Sequence, residues 1–467
     1  SSVGGTLTVK AVDEASIFAD TSSDVSSSTT NDAGTGTGIN VTDSDSSAVG
    51  GLVVRNDVQS DVEAFLKNNR LVTGGVVLTA IEDASINANL VSKMASDGGS
   101  IFGEGESLAV NALIATNAVL SDADAYVEGG SVSAAGQDVV VTSKNTSEVD
   151  ADVLGETSSG GEAVGVTLAF NSIGVKSQNI LVNTIDALFG ISETADAGTH
   201  AYIENATIEA GGVAVDVVNE ATIDSRTESS VTVDGGVSLG EGDQLSIGAV
   251  AALNKIATDT DAYIKSSSSV KATAGDISVS GSDETTIKAE VAAPTLAMPS
   301  VSLEAGSNIA VGISIARNDI NNNLDAFVES ATLTANAGNV DIEATEEASI
   351  TASSTASAIT ATLSGDTSNA FSGAGAAAFN RILGGARAYG FKSDLTAAGT
   401  GKGEVNITTA NTSTIDAVVG ALAVAVGAGV GDSQGVALGV SIAENEIGWD
   451  SSKLGDAERV PIDVKAH

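Results

Sequence analysis

The sequence has no cysteine, two histidines, three prolines and one tryptophan among 467 residues. Without cysteine there is no disulfide framework, no thiolate nucleophile and no cysteine-held metal. Aromatic residues make up 3% of a chain that is 42% hydrophobic, so the apolar mass is Val, Ile, Leu and Ala, the set that suits stacked strands. Basic side chains are scarce: 20 Lys and Arg stand against 61 Asp and Glu, a net charge of −41. That balance excludes nucleic acid and anionic membrane as electrostatic partners and favours cations. No run approaches the ~18 consecutive apolar residues of a membrane helix, so no membrane insertion of this segment is expected. The Ser-Ser start carries neither an initiator Met nor a signal peptide, which reads as a mature or trimmed segment.

What is abundant is Gly, Ser and Thr, with 52 glycines spread along the chain. Each costs a helix up to about 1 kcal/mol relative to Ala, so the expected class is all-β. A single core rarely grows beyond about 250 to 300 residues, so the length implies several domains or a repeat that grows in one dimension. The sequence carries such a repeat. A Gly followed by alternating aliphatics starts at Gly5, Gly74, Gly136, Gly211, Gly275, Gly338 and Gly403, at intervals of 69, 62, 75, 64, 63 and 65 residues. About twelve residues later stand Ile17, Ile86, Val149, Ile223, Ile287, Ile350 and Ile415. The chain therefore reads as one array of repeats of about 66 residues: 5–73, 74–135, 136–210 with an insertion at about 175–199, 211–274, 275–337, 338–402 and an incomplete 403–467.

Within the opening phrase Val340 and Ile342 alternate with Asn339 and Asp341, the period of two that marks a half-buried strand. The expected fold is a parallel β-helix, or β-solenoid, rod. At about 22 residues per turn each repeat would supply three rungs, about 21 in all, in a rod about 100 Å long with each phrase returning every 14 Å or so. A seven-bladed β-propeller is the alternative, since seven repeats able to form four strands each match its count.

Two further phrases recur. Asn56, Asn117, Asn171, Asn254, Asn318, Asn380 and Asn445 each precede an Ile or Val by two residues. A carboxamide repeated among apolar neighbours reads as a buried structural ladder, because stacked copies can satisfy one another. The strand before each Asn is apolar on both faces, as in Val311, Ile313 and Ile315 against Ala310, Gly312 and Ser314. Such a strand is expected to be covered twice, by another layer of this chain or by a neighbouring rod. After the Asn comes Ala-aromatic, placing Phe65, Tyr126, Tyr202, Tyr263, Phe327 and Tyr389 in one row, while Leu454 stands in the ring's place in the last copy. Alternation sets the rings outward with the acidic residues and the alanines inward, so the row is a candidate surface for binding glycan or for assembly.

Acidic pairs Asp122 with Asp124 and Asp259 with Asp261 place two carboxylates on one strand face, where calcium would bridge them. No other cofactor is expected. The repeat lacks the Gly-Gly-x-Gly-x-Asp nonapeptide of calcium-binding arrays, and acidic pairs are frequent in so acidic a chain. Parallel β-helices also host polysaccharide-acting enzymes. Here His200 and His467 are the two histidines, and the basic residues are scattered rather than set beside carboxylates, so no catalytic residues are assigned. Asn40, Asn145, Asn205, Asn406 and Asn411 fit the glycosylation acceptor pattern.

The phrases Ala-Val-Gly-Val-Thr-Leu-Ala-Phe-Asn171-Ser-Ile and Ala-Tyr202-Ile-Glu-Asn-Ala-Thr-Ile-Glu-Ala-Gly-Gly resemble the repeats of giant bacterial filamentous adhesins, the haemagglutinin-like and leukotoxin-like surface proteins. The resemblance spans nearly the whole chain. It implies a β-solenoid passenger, secretion to the cell surface and a role in attachment, with no catalytic residue to carry over. Its expected partners are other copies of itself, neighbouring surface proteins or a glycan. A self-assembling extracellular filament, sheath or surface-layer subunit is the second functional expectation.

Overall fold

The computed structural model describes residues 4–29, 45–98, 106–134, 136–175, 198–234, 237–238, 242–266, 268–398, 403–448 and 464–466. Most of the insertion at 175–199, together with Asn40, Leu454 and His467, lies outside them. Among the described residues every regular element is a strand, and neighbouring strands pair in parallel without closing a barrel. No helix is long and apolar enough to cross a membrane. The chain is a parallel β-solenoid.

A first sheet stacks one long strand from each repeat in chain order: Thr6–Ser28, Gly75–Asp97, Val139–Ser159, Val213–Val233, Ile277–Ser302, Val340–Ser364 and Val405–Gly429. Its register sets Ile17, Ile86, Val149, Ile223, Ile287, Ile350 and Ile415 side by side, the residues that align in the sequence repeat. The second sheet holds the return path. In the fifth coil this consists of Gly306–Ile320, which carries Asn318, then Asn323–Glu329, which carries Phe327, and the short strand Thr332–Ala335. Equivalent strands of the other coils pair on either side of these.

Each repeat therefore makes one wide coil, not three narrow rungs. Strands of 21 to 26 residues such as Val139–Ser159 and Ile277–Ser302 run about 70 to 85 Å, while seven coils stack to only about 30 Å along the axis. The physical reason lies in the first-sheet segments: alternation continues without the turn chemistry that would close a rung every ~22 residues. The propeller is excluded, because a blade needs antiparallel pairing within a repeat and these strands pair between repeats.

Inward side chains from the two sheets meet in two large apolar cores, with a small third cluster of Ala163, Val231 and Val233. One gathers Leu78, Ala80, Ala125, Val127 and their equivalents; the other gathers Ile86, Leu90, Leu113, Val119 and theirs. Between them runs a polar seam that the sequence reading missed. Glu82, Asn145, Asn219, Asp283, Glu346 and Asn411 share one register position, inward between Ala80 and Ala84 and their counterparts. Asp283 accepts from Asn219 Nδ2 at 2.9 Å, Asn322 Nδ2 at 2.8 Å and Thr260 Oγ1 at 3.1 Å. Glu346 accepts from Asn411 Nδ2 at 2.8 Å, while its other oxygen is buried without a hydrogen bond. That oxygen lies over Gly384, where a Cβ would collide with it.

A second recurrent feature is a corner after each aromatic strand. Asn68, Gly129, Asn205, Ser266, Ser330 and Lys392 all adopt the left-handed conformation, with φ between 51° and 68°. In the last coil Val464–Ala466 pairs with the sixth coil's aromatic strand, Ala466 opposite Ala388.

Candidate functional site

The second sheet's outer surface divides into two halves, and the sequence's recurrent residues define the boundary. The seven asparagines form one axial ladder, buried in the first six coils and exposed at Asn445 in the last. Each Nδ2 donates to the next Oδ1 at 2.8 Å, from Asn56 through Asn117, Asn171, Asn254, Asn318 and Asn380 to Asn445. In-phase stacking makes each of the five interior amides donor and acceptor at once, which satisfies a group that would otherwise be costly inside an apolar layer.

Beyond the asparagines lies the half with rings and charges. Ala64, Ala125, Ala201, Ala262, Ala326 and Ala388 face inward at 0% exposure, so the rings point outward as alternation requires. Because each repeat supplies a single coil, they stand far closer together than 14 Å. Phe65, Tyr126, Tyr202, Tyr263, Phe327 and Tyr389 stack face to face with centroids 5.0, 4.8, 4.7, 5.0 and 5.1 Å apart. Tyr126, Tyr263 and Phe327 retain 8%, 9% and 8% exposure. The interior ring faces are occupied by neighbouring rings and offer nothing for a sugar to stack on. Burial pushes the hydroxyls of Tyr126, Tyr202, Tyr263 and Tyr389 above the usual phenol range, so they stay protonated donors.

Two residues before each ring runs a charged column: Glu63, Asp124, His200, Asp261, Asp325 and Arg387. The two acidic pairs are separated by the third coil, whose Gly198–Glu204 strand lies between them. There His200 Nδ1 meets Asp124 Oδ1 at 2.8 Å. The ring leans over Gly198, where a Cβ would run into imidazole Cε1. His200, Asp259 and Asp261 bring their ligand atoms within 4.8 Å of one another. Asp122 accepts from the Gly198 N–H. The structure thus groups one imidazole with two carboxylates, a mixed set better matched to a transition metal than to calcium's oxygen shell. A carboxylate behind the imidazole, as Asp124 is here, also orients ligating histidines. Burial lifts Asp261 to about 6, helped by Asp259 and opposed by His200. Burial pulls His200 down, but Asp124's hydrogen bond and the charges of Asp124, Asp261 and Asp259 outweigh it and leave the imidazole raised.

On the other half, no layer of the described chain covers the outward face. The small residues of the two-sided strand, Ala310, Gly312, Ser314 and Ala316, face the core, and the large ones face solvent. In the fifth coil these are Ile309, Val311, Ile313 and Ile315; in the seventh, Val436, Leu438, Val440 and Ile442. Ile309, Ile313 and Ile315 are 37%, 42% and 37% exposed although coils flank them on both sides. The first sheet's outward face is different: Lys144, Glu148, Asp150, Asp152 and Glu156 line it in the third coil alone.

No protein-family model, curated protein or solved structure matches the chain.

Proposed function

We propose that this chain is a non-catalytic structural segment of a secreted cell-surface adhesin or fibre. The observation that carries the reading is the axial ladder: the recurrent asparagines and aromatic rings are used to hold one coil on the next instead of converging on a cleft. An array built that way transmits register from coil to coil and suits extension and display. The acidic outer face of the first sheet supports an extracellular location, since it keeps the particle soluble and repels its own kind. Attachment to a glycan would fall to tyrosine hydroxyls and flanking carboxylates, because the ring faces are occupied. A divalent cation would be held by His200, Asp259 and Asp261, with Asp124 orienting the imidazole. The second reading, a self-assembling filament, sheath or surface-layer subunit, is favoured by the uncovered apolar half of the second sheet.

Immunogold labelling of intact native cells with antibody against the chain tests the proposal. Label at the cell surface or on emerging fibres is expected; label confined to the cell interior would refute it.

A further inference from the structure

The outward apolar half of the second sheet consists of four adjacent columns running through seven coils, 28 positions in all. Glu162 is the one charged residue among them. With side chains of one face about 7 Å apart along a strand and coils about 4.8 Å apart, the area is on the order of 900 Å². The largest apolar patch on a monomeric protein is usually about 300 to 600 Å². A standard stable interface covers about 800 Å² per partner.

We infer that this face binds the same face of a second copy, sheet against sheet. The inference deepens the structural-segment reading and rests on it. Three features select a copy of the chain over other occupants. The first is charge: at −41 overall, two copies repel across almost any contact, and this face is the place where they meet with almost no like charge opposed. The second is shape. Flat faces of aliphatic side chains pack about 10 Å apart in two-sheet proteins, and both partners here have identical spacing. The third is self-complementarity. A twofold axis along the strands, through the fourth coil, sets the sixth coil over the second and the seventh over the first. Val110 then stands over Gly373, and Val440 over Gly51; a Cβ at Gly373 would meet nothing within 4 Å, so that hollow is open. A bulge opposite a hollow is what an isologous contact requires. In the same arrangement Val166 faces Ile313.

Sedimentation velocity on the full chain, across a concentration range up to about 100 μM, tests the pairing. The expected result is a dimer in the wild type and, in the double variant Val166→Lys/Ile313→Lys, monomer or at least a tenfold weaker association with an unchanged circular dichroism spectrum. Thr222→Lys, on the outer face of the first sheet, should leave the dimer intact. A wild type that stays monomeric throughout overturns the inference. So does association that persists in the lysine double variant, which would assign it to the open sheet edges. Flotation of a monomeric wild type with neutral phosphatidylcholine vesicles would give the face to lipid and equally overturn it. Surface label on cells together with a monomer in solution would remove the pairing and leave the structural reading standing; interior label with a dimer would do the reverse.

Discussion

Asn318 accepts from Asn254 and donates to Asn380, each at 2.8 Å, while fully buried. Replacing it with Leu leaves the Asn254 Nδ2 donor and the Asn380 Oδ1 acceptor without those partners, two desolvated groups for one substitution. The expected loss is about 1 to 3 kcal/mol, confined to neighbouring coils because a repeat array couples mainly through adjacent units. Thermal unfolding with hydrogen exchange checks both halves: a neutral Asn318→Leu, or protection lost equally in the first coil, would sink the account. At this scale the sequence was informative wherever one residue type recurred at one spacing, as with the asparagines and the Ala-aromatic pairs. His200 was legible by register, since it precedes Ala201-Tyr202 as Asp124 precedes Ala125-Tyr126 and Asp261 precedes Ala262-Tyr263. Its approach to Asp259 was not, because that contact depends on how neighbouring coils stack. Glu82, Asp283 and Glu346 did leave a signal, since each breaks an inward run of apolar residues at a position where period two predicts another.

Among the elements, the strands were legible as strands but not in their length. A repeat of about 66 residues fixes how often a phrase returns and is silent on how many turns lie within it. Ordinary strands of about 5 to 6 residues suggest three short rungs; the single coil follows from alternation that never breaks, as in the 25 residues of Val340–Ser364. The left-handed corner was illegible for another reason. Its occupants are Asn, Gly, Asn, Ser, Ser and Lys, a set without a shared letter, tolerated because the stacked backbone imposes the conformation on each in turn. Substitutions there should have opposite signs. Gly129→Ala introduces a Cβ at φ +68° that collides with the Asn68 side chain and should cost about 1 to 2 kcal/mol. Ser330→Gly relieves a left-handed φ of 51° and should gain up to about 1 kcal/mol. Chemical denaturation of the two variants measures this, and changes of the same sign would show that the corner is not what sets their stability.

For the whole molecule, the resolved shifts among the carboxyl groups point one way. Glu82, Asp122 and Asp150 are raised, Asp261 and Asp283 rise to about 6, and Glu346 rises to about 8, with burial the leading cause in every case. For Glu346 the neighbouring Asp283 charge adds to burial, and Asn411 opposes both. A carboxyl that holds its proton to higher pH when folded than when unfolded gives the folded state more bound protons, so stability falls as pH rises between the two values. For Glu346 that window runs from its ordinary 4.5 to about 8; for Asp283 it runs from 3.8 to about 6. The contribution is fully present below the lower value and lost through the upper one. At 1.36 kcal/mol per pKa unit, Glu346 alone moves the balance by roughly 3 to 5 kcal/mol. His200 acts in the same sense, since its raised imidazole also favours the protonated folded state. The solvent-exposed ion pairs, such as Lys93 with Glu156, do little to oppose this. The protein should therefore be more stable near pH 5 than near pH 8, the reverse of acid denaturation. Glu346→Gln removes the most strongly shifted of the seam's three carboxyl groups, and its unfolding midpoint at pH 8 should exceed the wild type's while the difference between pH 5 and pH 8 shrinks. Glu347→Gln, on the solvent side of the same strand, is the control. A wild type equally stable at both pH values, or a Glu346→Gln variant with an undiminished pH dependence, would mean that the seam does not govern the response.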